Sequence, residues 1–176
     1  MPELGLRNLI TLEPDWHSML SKADSRVPTI WRDWLADAGS LTQRLIDVSD
    51  GNLSVAVLKQ SLEVPRFSER QLLGLGDRRR AMVREVVLYG NNQPWVFARS
   101  ILPLTTLTGR LRKLRQLSNQ PLGELLFKDP SMRREPVQFT RFDSASWGRR
   151  SVFRLDNKPL LVAEVFLPDF NPYNLV

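Results

Sequence analysis

Two apolar segments each carry an ionisable residue near their centre. Pro159-Leu-Leu-Val-Ala-Glu-Val-Phe-Leu-Pro168 holds Glu164, and Met82-Val-Arg-Glu-Val-Val-Leu88 holds Arg84. Runs this apolar read as strands buried on both faces. An unpaired buried carboxylate costs several kcal/mol, a large share of the roughly 5–15 kcal/mol that keeps a domain folded. Glu164 therefore needs a partner, a proton or a ligand cavity. Two readings stay open at this level. A buried Arg–Glu pair can simply fix a sheet, adding little net stability. Alternatively, the arginine grips a substrate carboxylate bidentately and the glutamate handles a hydroxyl or proton at the far end.

Strand alternation places Met82, Arg84, Val86 and Leu88 on one face, and Leu160, Val162, Glu164 and Phe166 on one face. Glu85 falls on the opposite, more outward face of its strand. Arg99 sits with the bulky Trp95, Phe97 and Ile101, which makes it a third ionisable group pointing at protected space and a candidate secondary site residue.

Other chemistries find no residues. The chain has no cysteine, which removes disulfides, thiolate metal sites and cysteine nucleophiles. Its one histidine, His17, lies in a weakly patterned segment, so no Ser-His-Asp set is supported. No carboxylate cluster suggests a metal. No GxxxxGK[ST] or GxGxxG segment occurs, and Gly74-Leu-Gly76 is too little for a phosphate cradle. Any catalysis must rest on positioning, hydrogen bonds and a carboxylate.

Certain elements must position these residues. Residues 1–27 are weakly patterned. Val27-Pro28 to Ala38-Gly39 reads as a short helix with Ile30, Trp31, Trp34 and Leu35 on a packing face. Ser40 caps a second helix, Leu41 to Ile46. Residues 53–64 and 80–89 read as strands, and Gly90-Asn-Asn-Gln-Pro94 as a hairpin turn into a returning strand, 95–102. Pro65 to Gly76 reads as an irregular connection. Pro103 to Ser118 reads as a basic amphipathic helix docked by leucines, Pro121 to Phe127 as another short helix or a turn. Weakly alternating residues 135–142 and residues 147–155 read as strands, Asp156-Asn-Lys158 as a tight turn into the strand of Glu164, and 169–176 as surface coil. Hairpin-linked strands with inserted helices predict an α+β fold on a single antiparallel sheet.

A chain of 176 residues predicts one domain, 1–176, with a sizeable core. The start lacks a basic region followed by an apolar stretch, and no apolar run approaches the ~20 residues of a membrane span. Both predict a soluble, cytoplasmic protein. Net charge is +6; residues 1–60 carry six basic and eight acidic residues, residues 61–176 nineteen and eleven. That basic excess suits solubility, a small anion or nucleic acid. No aromatics interleave with the arginines of 103–118, which weighs against nucleic acid.

Five segments in order resemble the chorismate pyruvate-lyase family: Arg84-Glu-Val-Val-Leu, Gln93-Pro-Trp-Val-Phe-Ala-Arg-Ser-Ile-Leu-Pro103, Pro121-Leu-Gly-Glu-Leu-Leu-Phe127, Trp147-Gly-Arg-Arg-Ser151 and Lys158-Pro-Leu-Leu-Val-Ala-Glu-Val-Phe-Leu-Pro168. The resemblance covers about residues 30 to 168. It implies a cofactor-free enzyme of ubiquinone biosynthesis that converts chorismate to 4-hydroxybenzoate and pyruvate. It also implies helices packed around the sheet and helical flaps over an internal site. By this resemblance Arg84 holds the product carboxylate and Glu164 its hydroxyl, and both are catalytic. Leu122 and Leu41 give backbone contacts from the flaps; Leu41 stands where the family commonly has methionine. Arg99 would hold the enolpyruvyl end or tune Glu164. A monomer with no nucleic-acid or membrane partner is expected. The competing expectation is a non-catalytic domain of the same fold that senses an aromatic acid.

Overall fold

The computed structural model describes residues 6, 9, 13–18, 24–142 and 146–175. Its strands are β1 (His17–Ser18), β2 (Leu53–Glu63), β3 (Ala81–Gly90), β4 (Gln93–Pro103), β5 (Arg133–Arg134), β6 (Gln138–Arg141), β7 (Trp147–Leu155) and β8 (Lys158–Phe166). They form one eight-stranded sheet in the order β1-β6-β7-β8-β4-β3-β2, with β5 also on β7. All its pairings are antiparallel. The α+β expectation holds.

Two tight turns set the register. Asn91 and Asn92 (φ 51° and 62°) join β3 to β4, and Asp156 and Asn157 (φ 49° and 64°) join β7 to β8. Paired left-handed residues match the twist of the strands they connect, and Asn and Asp tolerate that conformation best after glycine. The β3–β4 hairpin then carries a bulge. Tyr89 faces Pro94 but Leu88 faces Val96, leaving Trp95 as the extra residue. A Cβ on Gly90 would stand 2.0 Å from the Trp95 ring, so only glycine admits that indole.

Helices α1 (Thr29–Leu35), α2 (Leu41–Val48) and α4 (Leu122–Lys128), with a 3-10 helix over Gly109–Gln116, supply the cover for one sheet face. At one end Trp31, Trp34, Leu35, Leu41 and Leu45 pack with Val86, Leu88, Val96, Ala98 and Phe166. At the other, Leu107, Leu111, Leu114, Leu122 and Leu126 pack with Met82, Leu102, Leu160 and Val162. Each buried leucine contributes about 1.5–3 kcal/mol. The opposite face holds Val83, Ile101, Val152 and Leu161 under α3 (Phe67–Leu73), with Leu9, Val87, Phe97 and Val165 beside them.

The leucines of 103–118 dock as expected, but Gly109 takes φ 56° and the helical part begins only there. Residues 65–76 are not irregular throughout: α3 starts after Arg66, where the Glu69 carboxylate accepts from the Arg66 N–H (2.8 Å), and ends at Gly74 in the left-handed conformation. The tail is not merely surface coil either. Phe170 is buried against Trp31, Trp34, Trp95 and Phe166, and a 3-10 turn follows over Pro172–Leu175. Among the described residues no helix is long and apolar enough to cross a membrane.

Candidate functional site

The two apolar clusters on the covered face are separated by a band of polar side chains crossing the strands. It runs from Arg84 on β3 through Ser100 on β4 and Glu164 on β8 to Arg149 and Ser151 on β7, and ends at Arg134 on β5. Ser100 faces both Arg84 and Val162, and Ala98 faces both Val86 and Glu164. Arg84 and Glu164 therefore flank β4, two strand spacings or roughly 10 Å apart. The strand between them presents only the small Ala98 and Ser100.

Arg84 is 2 % exposed and forms no ion pair among the described residues. Its Nη1 donates to Gln60 Oε1 (3.0 Å), and its Nη2 to the carbonyls of Ser118 (2.7 Å) and Gln120 (3.2 Å). Burial lowers its pKa from the ordinary arginine value, yet the guanidinium keeps its proton at any ordinary pH. Three of its five N–H donors are used, which leaves two for a ligand.

Glu164 is partnered differently. Arg149 Nε donates to its Oε2 at 2.8 Å. The Arg149 side chain is 2 % exposed, and that of Glu164 is 17 % exposed although β4 and β7 flank its strand. Oε1 accepts no hydrogen bond among the described residues. Arg149 Nη1 also donates to the carbonyls of Trp34 (3.1 Å) and Asp37 (3.0 Å). Arg134 Nη1 donates to that same Asp37 carbonyl (3.0 Å), and its Nε to Ser151 Oγ (3.0 Å). Arg149 carried no role in the sequence reading. Its position follows from the β7–β8 turn, since counting back equally on both strands sets Arg149 opposite Glu164.

Leu41 and Leu122 are the first residues of α2 and α4, positions whose N–H groups have no partner within the helix. Ser40 caps α2 by accepting from the Gln43 N–H (3.2 Å). The two helices meet at these ends: a Cβ on Gly123 would lie 2.9 Å from Thr42 Oγ1. The loop 118–121 that Arg84 holds runs into α4, and the loop 36–40 held by Arg134 and Arg149 runs into α2. Each cationic end of the band thus grips the root of one helix.

Arg99 is a correction. It faces Ala163 and Glu85, not Glu164, and points to the opposite side of the sheet. There its Nε donates to Glu69 Oε1 (2.7 Å), its Nη2 to Glu69 Oε2 (3.1 Å) and its Nη1 to Glu85 Oε1. Glu85 is 1 % exposed, not outward. Arg99 can neither hold a ligand beside Glu164 nor tune it. The bulge at Trp95 is the cause: an unbulged hairpin would set Arg99 opposite Arg84.

The fold is an antiparallel α+β domain with a band of charged groups pointing inward from one covered sheet face. Matched to protein-family models, residues 17–173 fit chorismate lyase. A probable chorismate pyruvate-lyase of Alcanivorax borkumensis is 43 % identical over 147 residues, covering 81 % of this chain and 71 % of the relative. Another, from Psychromonas ingrahamii, is 38 % identical over 186 residues, covering 90 % and 95 %. The chain belongs to the chorismate lyase family. Among solved structures, a GntR-family transcriptional regulator from Bacillus cereus is similar in fold, with a TM-score of 0.50 at 9 % identity over 68 % of this chain and 94 % of that one.

Proposed function

We propose that this protein is a chorismate pyruvate-lyase that makes 4-hydroxybenzoate for ubiquinone biosynthesis, acting as a cytoplasmic monomer without a cofactor. One observation carries the reading: Arg84 is a buried cation with no carboxylate partner among the described residues, on the same face as a glutamate with one open oxygen. A buried charge left unpaired is strongly unfavourable, so the arrangement suits an anion that enters from outside. The 43 % identical relative points to the lyase among such ligands.

Arg84 holds the ring carboxylate of chorismate, and Glu164 Oε1 accepts from the ring hydroxyl at the opposite pole. The roughly 10 Å between their strands is bridged by two side chains and one six-membered ring. In the reaction the C–O bond to the enolpyruvyl group breaks and its electron pair leaves with the enolpyruvyl oxygen. The proton on the hydroxyl-bearing ring carbon departs, with Glu164 placed to accept it. The ring becomes aromatic, and the enol takes up a proton to become pyruvate. Aromatisation supplies much of the driving force, so the protein's task is orientation, which is worth up to ~7–11 kcal/mol of barrier in well-placed systems. The backbone groups of Leu41 and Leu122 close over the ring as flaps.

The test is turnover of chorismate by the purified protein, followed as 4-hydroxybenzoate absorbance with pyruvate counted in parallel. Equimolar products are expected. Binding of 4-hydroxybenzoate without any turnover would instead assign the domain to ligand sensing.

A further inference from the structure

The substrate proposed above is a dianion, and Arg84 accounts for one of its carboxylates. With Arg99 on the far side of the sheet, the second carboxylate needs another cation. That carboxylate belongs to the enolpyruvyl ether, on the ring carbon next to the hydroxyl, so it must lie near Glu164.

Two guanidinium groups stand there. Arg149 is committed to Glu164 Oε2 and two carbonyls. Arg134 is not. It has no ion pair among the described residues, and its hydrogen bonds there go to neutral oxygens, Ser151 Oγ and the Asp37 carbonyl. Those bonds use Nε and Nη1, leaving Nη2 with both donors. From β5, opposite Phe153, its side chain runs along the covered face toward Ser151, lying over the Phe153 ring at 5.1 Å. It shares the Asp37 carbonyl with Arg149, which places it beside the Arg149–Glu164 pair. Burial, then the nearby Arg149 charge, pulls Arg134 down to about 10, against the pull of Glu164 and Asp37. An added anion would relieve both effects.

Resting on that assignment of the site, we infer that Arg134 binds the enolpyruvyl carboxylate and is the residue that distinguishes chorismate from its own product. With Arg149 and Glu164 cancelling, Arg84 and Arg134 leave two uncompensated positive charges on the band. Chorismate brings two carboxylates; 4-hydroxybenzoate brings one. After the ether breaks, pyruvate holds Arg134 while the aromatic acid stays on Arg84 and Glu164.

The experiment compares R134Q with wild type in chorismate turnover and in calorimetric binding of 4-hydroxybenzoate. Glutamine keeps donors for the two neutral oxygens and removes the charge. The expected result is a fall in kcat/KM on the order of 100-fold, the size of a lost charge-assisted hydrogen bond. Affinity for 4-hydroxybenzoate should stay within about threefold. R134K, which restores the charge, should recover at least about tenfold of the loss, as a purely structural role in holding Asp37 would not. Equal losses for chorismate and 4-hydroxybenzoate in R134Q, or unchanged kcat/KM, would overturn the inference. Failure of wild type to turn over chorismate would overturn the lyase assignment instead, and is seen separately. Should R134Q not fold by circular dichroism, the same comparison in R134K decides: kcat/KM as low as a buffer blank with intact product binding refutes a role for charge.

Discussion

Arg84 and Glu164 flank β4 on one covered face, and neither is the other's partner. Arg84 holds the carbonyls of Ser118 and Gln120 at the root of α4. Glu164 is tied through Arg149 to the carbonyl of Trp34 in the last turn of α1 and to that of Asp37 in the loop leading into α2. Polar groups that would grip the two poles of a ligand also fix the segments leading into its cover. On the proposed binding mode, binding and closure would use the same side chains.

Arg84→Met should keep the sheet and lose the ligand. Methionine fills a similar apolar volume, while the charge and three hydrogen bonds go. Affinity for 4-hydroxybenzoate should fall on the order of 100-fold, about 3 kcal/mol, read by calorimetry. Glu164→Gln removes the proposed base but keeps a hydrogen-bond acceptor, so turnover should fall about 10²–10⁴-fold with a much smaller loss of product affinity. Equal effects of E164Q on both would reduce Glu164 to a binding group.

Arg149→Met should be the most damaging change in the band. It strands Glu164 without its partner and takes a donor from the buried Trp34 carbonyl, while the Asp37 carbonyl keeps Arg134; the cost should be about 3–5 kcal/mol. Urea unfolding measures it. Adding Glu164→Gln should return part of that loss, because no unpaired charge then remains. Additive losses would show that Arg149 and Glu164 are not coupled.

Much of this was legible in the residues. Apolar runs broken by Asn91-Asn92 and Asp156-Asn157 gave the hairpins, and two charges inside apolar strands gave Arg84 and Glu164. The Glu164 partner was also within reach, because a two-residue turn fixes which residue on β7 faces it. What alternation could not supply was the bulge. One extra residue, Trp95, shifts the pairing by a single position, and a shift of one exchanges the faces. That is why Arg99 lies with Glu85 and Glu69. The helix at Phe67–Leu73 was hidden because its cap is made by a carboxylate, Glu69, three residues after Arg66, an uncommon capping residue. Arg134, on a strand of two residues, left no periodic signal.

Arg99 should matter for stability and not for turnover. Arg99→Met leaves Glu69 and Glu85 buried without their shared cation, so the protein should lose about 3–5 kcal/mol of stability. Lys59, whose Nζ stands 3.8 Å from Glu85 Oε1, offsets part of it. Per folded molecule, kcat/KM should stay within about twofold, since the sheet separates Arg99 from the polar band. A selective loss of turnover at low temperature, where the variant is fully folded, would return Arg99 to the site.

Gly123→Ala probes the cover alone. The new methyl group would meet Thr42 Oγ1 at 2.9 Å, so the buried threonine must rotate or the ends of α2 and α4 must part. Overpacking of this kind costs about 1–3 kcal/mol. Because no charged group changes, the effect should fall on flap closure: 4-hydroxybenzoate should dissociate about tenfold faster, with its association rate little altered. Stopped-flow displacement separates the two rates, and an unchanged off-rate would mean that this junction does not close the site.

Acid should loosen the other flap root through Asp37. Burial pushes this carboxyl up, but the Gly39 N–H and the Arg44 guanidinium outweigh it and leave its pKa below the ordinary 3.8. A carboxyl depressed in the folded state contributes stability that is complete above its unfolded pKa and lost as pH falls through the folded one. Asp37→Asn keeps an oxygen for Gly39 and loses the charge facing Arg44, so wild type should exceed it by about 1 kcal/mol at neutral pH. The gap should close below the ordinary carboxylate range, where both side chains are neutral. The same window should govern α2, because residues 37–40 lead directly into Leu41. Product affinity should therefore differ between the two proteins at neutral pH and converge in acid. Taking the ratio of the two proteins at each pH cancels the titration of 4-hydroxybenzoate itself. A ratio that stays constant from neutral pH down to acid would detach Asp37 from the flap.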